Sequence, residues 1–160
     1  IARFKEAVPN AEFVALNDIY DVKADIYAPC ALGATVNDST IDRLKVKIVC
    51  GAANNQLAEN RHGDMLKEKN ILYAPDYLIN AGGVMNVSIE FEGWSAEKAT
   101  KMVDKIYDTT LKIFKLSEDQ NIPVYKATDL MAEQRIQSIK NIRGKYLGNL
   151  AHRFPVRKSN

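Results

Sequence analysis

The chain has 160 residues, a hydrophobic fraction of 46%, a charged fraction of 26% and a formal net charge of +2. This length fits one domain with a buried core, and the small net charge excludes a general electrostatic attraction to nucleic acid or to a membrane surface. No apolar stretch approaches the roughly 20 residues that a membrane-spanning helix requires, so we expect no membrane partner.

The first residues predict a helix whose beginning is missing. Ile1, Phe4 and Val8 share one helical face, but neither an initiator methionine nor a capping residue precedes them. We therefore interpret the chain as a piece of a longer protein.

Short apolar runs rich in β-branched or aromatic residues dominate the first half of the chain. They occupy residues 12–16 (EFVAL), 24–29 (ADIYAP), 46–51 (VKIVCG) and 71–75 (ILYAP). Helix-like segments lie between some of them, at residues 39–44 and 63–69. This alternation predicts an α/β fold, in which a parallel sheet is joined by crossover helices.

The second half of the chain is predicted to be helical. One helix is expected at residues 80–91, and Ser95 is placed to cap a longer one with apolar residues at 3–4 spacing. That helix is expected to stop at Asn121-Ile122-Pro123, and a last helix to begin near Thr128. Residues 151–160 form a basic tail, which we interpret as a solvated end rather than a nucleic-acid arm.

The two cysteines, Cys30 and Cys50, each end an apolar run. We expect both to be reduced, buried thiols, because the chain has no signal-peptide pattern. A reducing cytoplasm is the compartment that fits this interpretation.

Small or amide-bearing residues follow three of the predicted strands, in loops at residues 30–34 (CALGA), 51–56 (GAANNQ) and 76–83 (DYLINAGG). The carboxyl ends of parallel strands meet at one edge of a sheet, where ligands bind. Bare backbone admits a flat ligand, and asparagine amides both donate and accept hydrogen bonds, which suits a carboxamide or ribose hydroxyls. Taken singly, Gly33 and Gly51 are better explained by tight turns, and Asn54 with Asn55 by helix capping; three such loops at one edge favour a ligand site.

Other kinds of site have less support in the sequence. Neither G-x-G-x-x-G nor G-x-x-x-x-G-K-[ST] occurs, and His62 and His152 are too few and too isolated for a metal cluster. We therefore predict no metal site, and we interpret His62 as a surface or capping residue.

The motifs ADIYAPCALGATVND, GAANNQLAENRHGDML, ILYAPDYLINAGGVMNVSIEFEGW and MAEQRI closely resemble those of the Glu/Leu/Phe/Val amino-acid dehydrogenases, with the leucine dehydrogenase branch nearest. The resemblance covers about residues 18–136. It implies that residues 1–93 are the second half of a Rossmann-like NAD-binding domain. Residues 94–150 would be helices that pack on this domain and reach toward a catalytic domain, and residues 151–160 the tail. The glycine-rich phosphate loop and the catalytic lysines would lie upstream of Ile1, which leaves no catalytic residue in this chain.

The resemblance also assigns roles to individual positions. Ala31 and Leu32 would lie against the adenosine side or the centre of the cofactor, and Asn55 would approach the nicotinamide ribose. Asn80 would bond the nicotinamide carboxamide, and Gly82, with Gly83, would let the next helix come close. Val84 and Val87 share a helical face and would line the pocket for the substrate side chain, where glutamate-specific relatives carry a hydroxyl at the second position.

The implied reaction is reversible oxidative deamination, in which the α-hydrogen of an amino acid leaves as hydride to NAD and water hydrolyses the resulting imine to a 2-oxo acid and ammonia. Two valines favour leucine, valine or isoleucine, since an apolar group cannot pair a γ-carboxylate. The family also implies a homo-oligomer. The alternative is a non-catalytic binding or oligomerisation module derived from the same fold; the segment before Ile1 would discriminate between them.

Overall fold

The computed structural model describes residues 2–90 and 93–146. Its elements in chain order are α1 (Ala2–Ala7), a 3-10 turn (Ile19–Asp21), β1 (Ile26–Tyr27), a 3-10 turn (Ile41–Arg43), β2 (Ile48–Val49), α2 (Arg61–Glu68), β3 (Leu72–Tyr73), α3 (Asp76–Ile79), α4 (Gly82–Glu90), α5 (Ala96–Gln120) and α6 (Val124–Tyr146). The predicted end of the helix at Phe91, His152 and the basic tail lie outside the described residues.

The three strands form a parallel sheet in the order β1-β2-β3, as the alternating pattern predicts. Ile26 pairs with Ile48 and Ile48 with Leu72, so the strands run in register and end at the same edge. The connection between β2 and β3 contains α2, which is the crossover helix expected between parallel strands. The described fold is therefore a partial Rossmann-like α/β unit.

The apolar core has two parts. One lies between the sheet and the first connections and is built from Val36, Ile41, Val49, Leu66, Ile71 and Tyr73. The other joins the helices to the end of the sheet and is built from Leu78, Ile113, Val124 and Ala127. Because Leu78 belongs to α3, directly after β3, the helical layer is anchored next to the edge where the strands end.

The long helix α5 begins and ends where the sequence predicts. The Ser95 hydroxyl accepts a hydrogen bond from the backbone N–H of Lys98, and Asn121 ends the helix in a left-handed conformation with φ of 52°. In contrast, α6 begins at Val124, so the predicted start near Thr128 is wrong. Proline is favoured at a helix start because its φ is already helical, and here Pro123 accepts from Ala127 N–H at 3.1 Å. No helix within the described ranges has the length and apolarity to cross a bilayer.

Three further expectations need correction. Residues 12–16 are not a strand, because none of the strands in the described part of the chain pairs with them, and Leu16 is 86% exposed. The predicted helix at residues 39–44 is reduced to the 3-10 turn Ile41–Arg43. Both cysteines are free, as expected, but Cys30 is exposed rather than buried, because it follows β1 in the loop at the open edge of the sheet, and Cys50 is half-buried.

Candidate functional site

The first two loops at the carboxyl edge are held together by backbone hydrogen bonds. Ala53 N–H donates to Pro29 O at 2.9 Å, and Ala34 N–H donates to Asn55 O at 2.6 Å. Gly51 lies so close to the backbone of Pro29 that a Cβ there would overlap it. The loop at residues 51–56 therefore lies directly against the loop at residues 30–34, and glycine permits this approach.

The third loop joins the second through two side chains. Asp76 Oδ2 accepts from the backbone N–H of Asn55 at 2.5 Å. The Asn80 amide Nδ2 donates to Asn54 Oδ1 at 2.6 Å and to Ala52 O at 3.3 Å. All three loops thus meet at one edge of the sheet, which confirms that part of the sequence prediction.

The pairing of Asn80 with Asn54 leaves two groups of complementary chemistry at this edge. The carbonyl oxygen of Ala52 can only accept a hydrogen bond, so the Asn80 amide atom that faces it must be Nδ2. The other amide atom, Oδ1, points away from Ala52. Among the described residues, neither Asn80 Oδ1 nor Asn54 Nδ2 has a hydrogen-bond partner. One free acceptor beside one free donor is the set that a carboxamide requires, so these residues fit a nicotinamide.

The glycines after Asn80 leave room next to this pair. A Cβ at Gly82 would make only an ordinary contact with Val103, at 3.6 Å, and a Cβ at Gly83 would meet nothing within 4 Å. Packing within the described residues therefore does not require either glycine, so the expectation that they allow close helix packing is not supported. The bare backbone instead borders open space, which also fits a flat ligand.

The other predicted site residues lie in these loops or on α4, which follows the third loop, and their side chains are accessible. Ala31 is exposed, and Leu32 is 73% exposed in the loop after β1. Asn55 is exposed and left-handed, with φ of 53°, and its side-chain amide has no partner within the part of the chain described. On α4, Val84 and Val87 are 76% and 53% exposed, so neither valine packs into the core.

Sequence reasoning missed two features of the site. It favoured Asn55 over Asn54 as the polar group of the second loop, yet Asn54 is the residue that bonds Asn80. It gave no role to Asp76, which is 7% exposed and links the second and third loops. A carboxylate directly after a buried strand was the available signal for Asp76, whereas nothing in the motif distinguishes Asn54 from its neighbour.

His62 is buried, so its interpretation as a surface residue is wrong, while its capping role is supported. The ring is 1% exposed, and its Nδ1 accepts from the backbone N–H of Glu59, two residues before α2 begins. Its Nε2 lies 3.2 Å from Asp38 Oδ1, and Asp38 also forms an ion pair with Arg61. These contacts tie α2 to the connection between β1 and β2.

This contact predicts a specific acid sensitivity. The Arg61 guanidinium, and secondly the His62 ring, lower the pKa of Asp38 to about 2. An aspartate in the unfolded chain titrates near pH 3.9. The contribution of ionised Asp38 to the free energy of unfolding is therefore complete above about pH 4 and is lost as the pH falls toward 2. In urea unfolding between pH 5 and 3, Asp38→Asn should therefore show a shallower loss of stability than the wild type. Equal slopes for the two proteins would contradict this assignment.

No three His, Cys, Asp or Glu side chains in residues 2–90 and 93–146 are grouped as metal ligands would be. The polar groups at the carboxyl edge are amides and backbone groups, with Asp76 already engaged by Asn55 and Tyr73. The fold and the edge together define a class of protein: an α/β unit of Rossmann-like form with a candidate ligand site where its parallel strands end.

Comparison with known proteins identifies the family. The profile of the Glutamate/Leucine/Phenylalanine/Valine dehydrogenase family matches residues 1–144, and the chain belongs to that family. The chain is 56% identical over 151 residues to a leucine dehydrogenase of Bacillus cereus, a match that covers 91% of this chain and 41% of that protein. It is also 48% identical over 128 residues to a phenylalanine dehydrogenase of Caldalkalibacillus thermarum, covering 80% of this chain and 35% of that protein.

A solved structure gives the same result. The crystal structure of an L-tryptophan dehydrogenase from Nostoc punctiforme matches with a TM-score of 0.82 and 45% identity, over 87% of this chain and 42% of that chain. The chain thus spans about two fifths of the length of the relatives it matches. The resemblance found in the sequence motifs is confirmed at the level of the family and of the fold.

Proposed function

We propose that the complete protein catalyses the NAD-dependent oxidative deamination of a branched-chain aliphatic L-amino acid, and that this chain supplies the nicotinamide end of the cofactor site. The observation that carries the proposal is the Asn80–Asn54 pair, whose free acceptor and donor lie beside bare backbone at the end of a parallel sheet. Family membership and the 56% identity to a leucine dehydrogenase support the same activity.

Each polar residue of the edge has a distinct task in this proposal. When bound, the nicotinamide ring would accept the hydride; the protein orients the ring and keeps water out. Asn80 and Asn54 hold the carboxamide, which selects the ring face offered to the substrate. Asn55 bonds the nicotinamide ribose, Ala31 and Leu32 contact the adenosine side or centre of the cofactor, and Gly82 leaves room for the ring.

The α4 helix provides the specificity for the substrate side chain. Val84 and Val87 are three residues apart and both exposed, so they present one apolar face beside the open space at Gly83. An aliphatic side chain loses water against such a face at a gain of about 0.8 kcal/mol per methylene. Because relatives that act on phenylalanine and tryptophan also match, the preference for leucine, valine and isoleucine rests on these two valines.

The remaining parts of the complete protein follow from the family. We propose that residues 1–93 belong to the cofactor-binding domain and that residues 94–150 reach toward a catalytic domain that carries the lysines. Apolar residues on α5 and α6 are exposed in this chain, among them Tyr107, Leu111 and Ile136. In the complete protein we expect these residues to be covered by that domain or by another copy in a homo-oligomer. A cytoplasmic location fits the two free cysteines.

Initial-rate kinetics on the full-length protein test the proposal. With NAD as the oxidant, kcat/KM for leucine, valine or isoleucine should exceed that for phenylalanine, tryptophan and glutamate by at least about tenfold, the discrimination that a pocket of this kind supplies. Reduction of NADP in preference to NAD would contradict the cofactor assignment. Preference for phenylalanine would contradict the pocket, and absence of turnover with every amino acid would favour a non-catalytic module.

A further inference from the structure

Asp76 is a buried carboxylate that the proposed chemistry does not use. It is the first residue of α3, immediately after β3 and Pro75, and is 7% exposed. Its Oδ1 accepts from the Tyr73 hydroxyl at 2.9 Å, and its Oδ2 accepts from the backbone N–H of Asn55 at 2.5 Å. Both oxygens are therefore engaged inside the protein, and Asp76 itself is not a ligand site.

The hydrogen bond to Asn55 restrains a residue in an uncommon conformation. Asparagine adopts a left-handed backbone at lower cost than most residues other than glycine, and local contacts still select this conformation for Asn55. Asp76 holds its N–H, while its carbonyl accepts from Ala34 N–H at 2.6 Å. The backbone of Asn55 is thus bonded on both sides, and only its side chain is free.

Packing holds only part of this loop in place: Ala53 and Gln56 are buried, whereas Asn55 between them is exposed. A cavity of about 300 Å³ lies against Asn55 and is bordered by Asn60, Tyr77 and Tyr125, so few atoms support the loop from that side. A hydrogen bond to a carboxylate is stronger than one between neutral groups and fixes direction as well as distance. Asp76 is consequently a directional restraint on the Asn55 amide, in addition to the bond from Ala34 and the bonds that Gln56 forms within the loop.

We propose that Asp76 is a positioning residue, which fixes the backbone of Asn55 so that its side-chain amide meets the ribose of the cofactor. The inference rests on the proposed function, because Asn55 acts on the cofactor only if the carboxyl edge is the NAD site. Asp76 contributes to affinity for the dinucleotide without touching it.

The first test is NADH binding to the full-length protein, followed by fluorescence titration. Asp76→Ala removes the acceptor of the Asn55 N–H, and the dissociation constant for NADH should rise about fivefold, the value of one hydrogen bond. The KM for leucine should stay within about twofold of the wild type, because the substrate pocket is not altered. Asp76→Ser, whose hydroxyl does not reach the Asn55 N–H, should have the same effect and serves if the alanine variant does not fold.

Two matched variants separate positioning from general damage to the loop. Tyr73→Phe disrupts the same buried network but leaves the bond between Asp76 and Asn55, so NADH affinity should stay within about twofold of the wild type. In Asp76→Asn, the amide oxygen accepts from Asn55 and the amide nitrogen donates to Tyr73, so affinity should be retained. Loss of affinity in Tyr73→Phe or Asp76→Asn equal to that in Asp76→Ala would overturn the proposal.

A double-mutant cycle distinguishes failure of this inference from failure of the proposed function. Asn55→Gly removes the amide and tolerates the left-handed backbone, and it should weaken NADH binding about fivefold. If Asp76 acts through that amide, Asp76→Ala should cause no further loss in the Asn55→Gly background. Unchanged affinity in Asn55→Gly would refute the ribose contact itself. Reduced affinity in Asn55→Gly with additive loss in the double variant would refute only the positioning role.

Discussion

Replacing Asn80 by alanine is expected to lower kcat/KM for NAD by about 100-fold in the full-length protein, with little change in its unfolding midpoint. The variant loses the acceptor for the carboxamide, and it also releases Asn54, whose Oδ1 then has no donor among the described residues. One hydrogen bond accounts for about 1 kcal/mol, and the larger part of the effect comes from misorientation of the reacting ring. Initial rates at varied NAD, together with thermal unfolding, measure both quantities.

The matched control for this experiment is Asn60→Ala. Asn60 is an exposed asparagine that follows the second loop, and its side chain forms no capping hydrogen bond at α2. Its replacement should leave the rates unchanged. Wild-type kinetics in the Asn80→Ala variant, or a loss of activity matched by global unfolding, would remove the role assigned to Asn80.

Replacing Val87 by serine is expected to lower kcat/KM for leucine by about 10- to 100-fold. The change removes apolar contact at about 0.8 kcal/mol per methylene-sized group and places a hydroxyl, which requires a partner, against an aliphatic side chain. Because Val87 is 53% exposed, the protein should lose little stability. Kinetics with leucine at saturating NAD provide the measurement, and the KM for NAD should remain close to the wild-type value.

The control for the pocket is Val8→Ser. Val8 lies just after α1, outside the three loops and α4, and it is also partly exposed, at 43%, so the same chemical change is made outside the proposed pocket. Leucine kinetics should be unaffected by it. If Val87→Ser leaves leucine kinetics unchanged, or if both variants lose activity equally, Val87 does not line the pocket.

The elements that the sequence predicted correctly are those whose signals lie within or next to the element itself. The runs that contain Ile26, Ile48 and Leu72 predict strands of a parallel sheet, and all three form that sheet. Ser95 and Asn121 supply local signals for the two ends of α5, and both signals are correct. In these cases the capping group or the apolar pattern is close in sequence to the structure that it specifies.

The predictions that were wrong or undecided concern residues whose structure depends on parts of the chain that are distant in sequence. Residues 12–16 have the composition of a strand, but a strand forms only where another strand can pair with it. Cys30 ends an apolar run yet is exposed, because the sheet ends just before it. The choice between Asn54 and Asn55 was similarly undetermined, since it depends on the left-handed backbone at Asn55 and on Asp76, 21 residues further along the chain.

The most direct measurement is a crystal structure of the full-length protein with bound NAD. The account predicts the nicotinamide at the edge where the three loops meet, with its carboxamide about 2.7–3.2 Å from Asn80 Oδ1 and Asn54 Nδ2. A nicotinamide bound elsewhere in the protein, or a carboxamide that reaches neither asparagine, would contradict it.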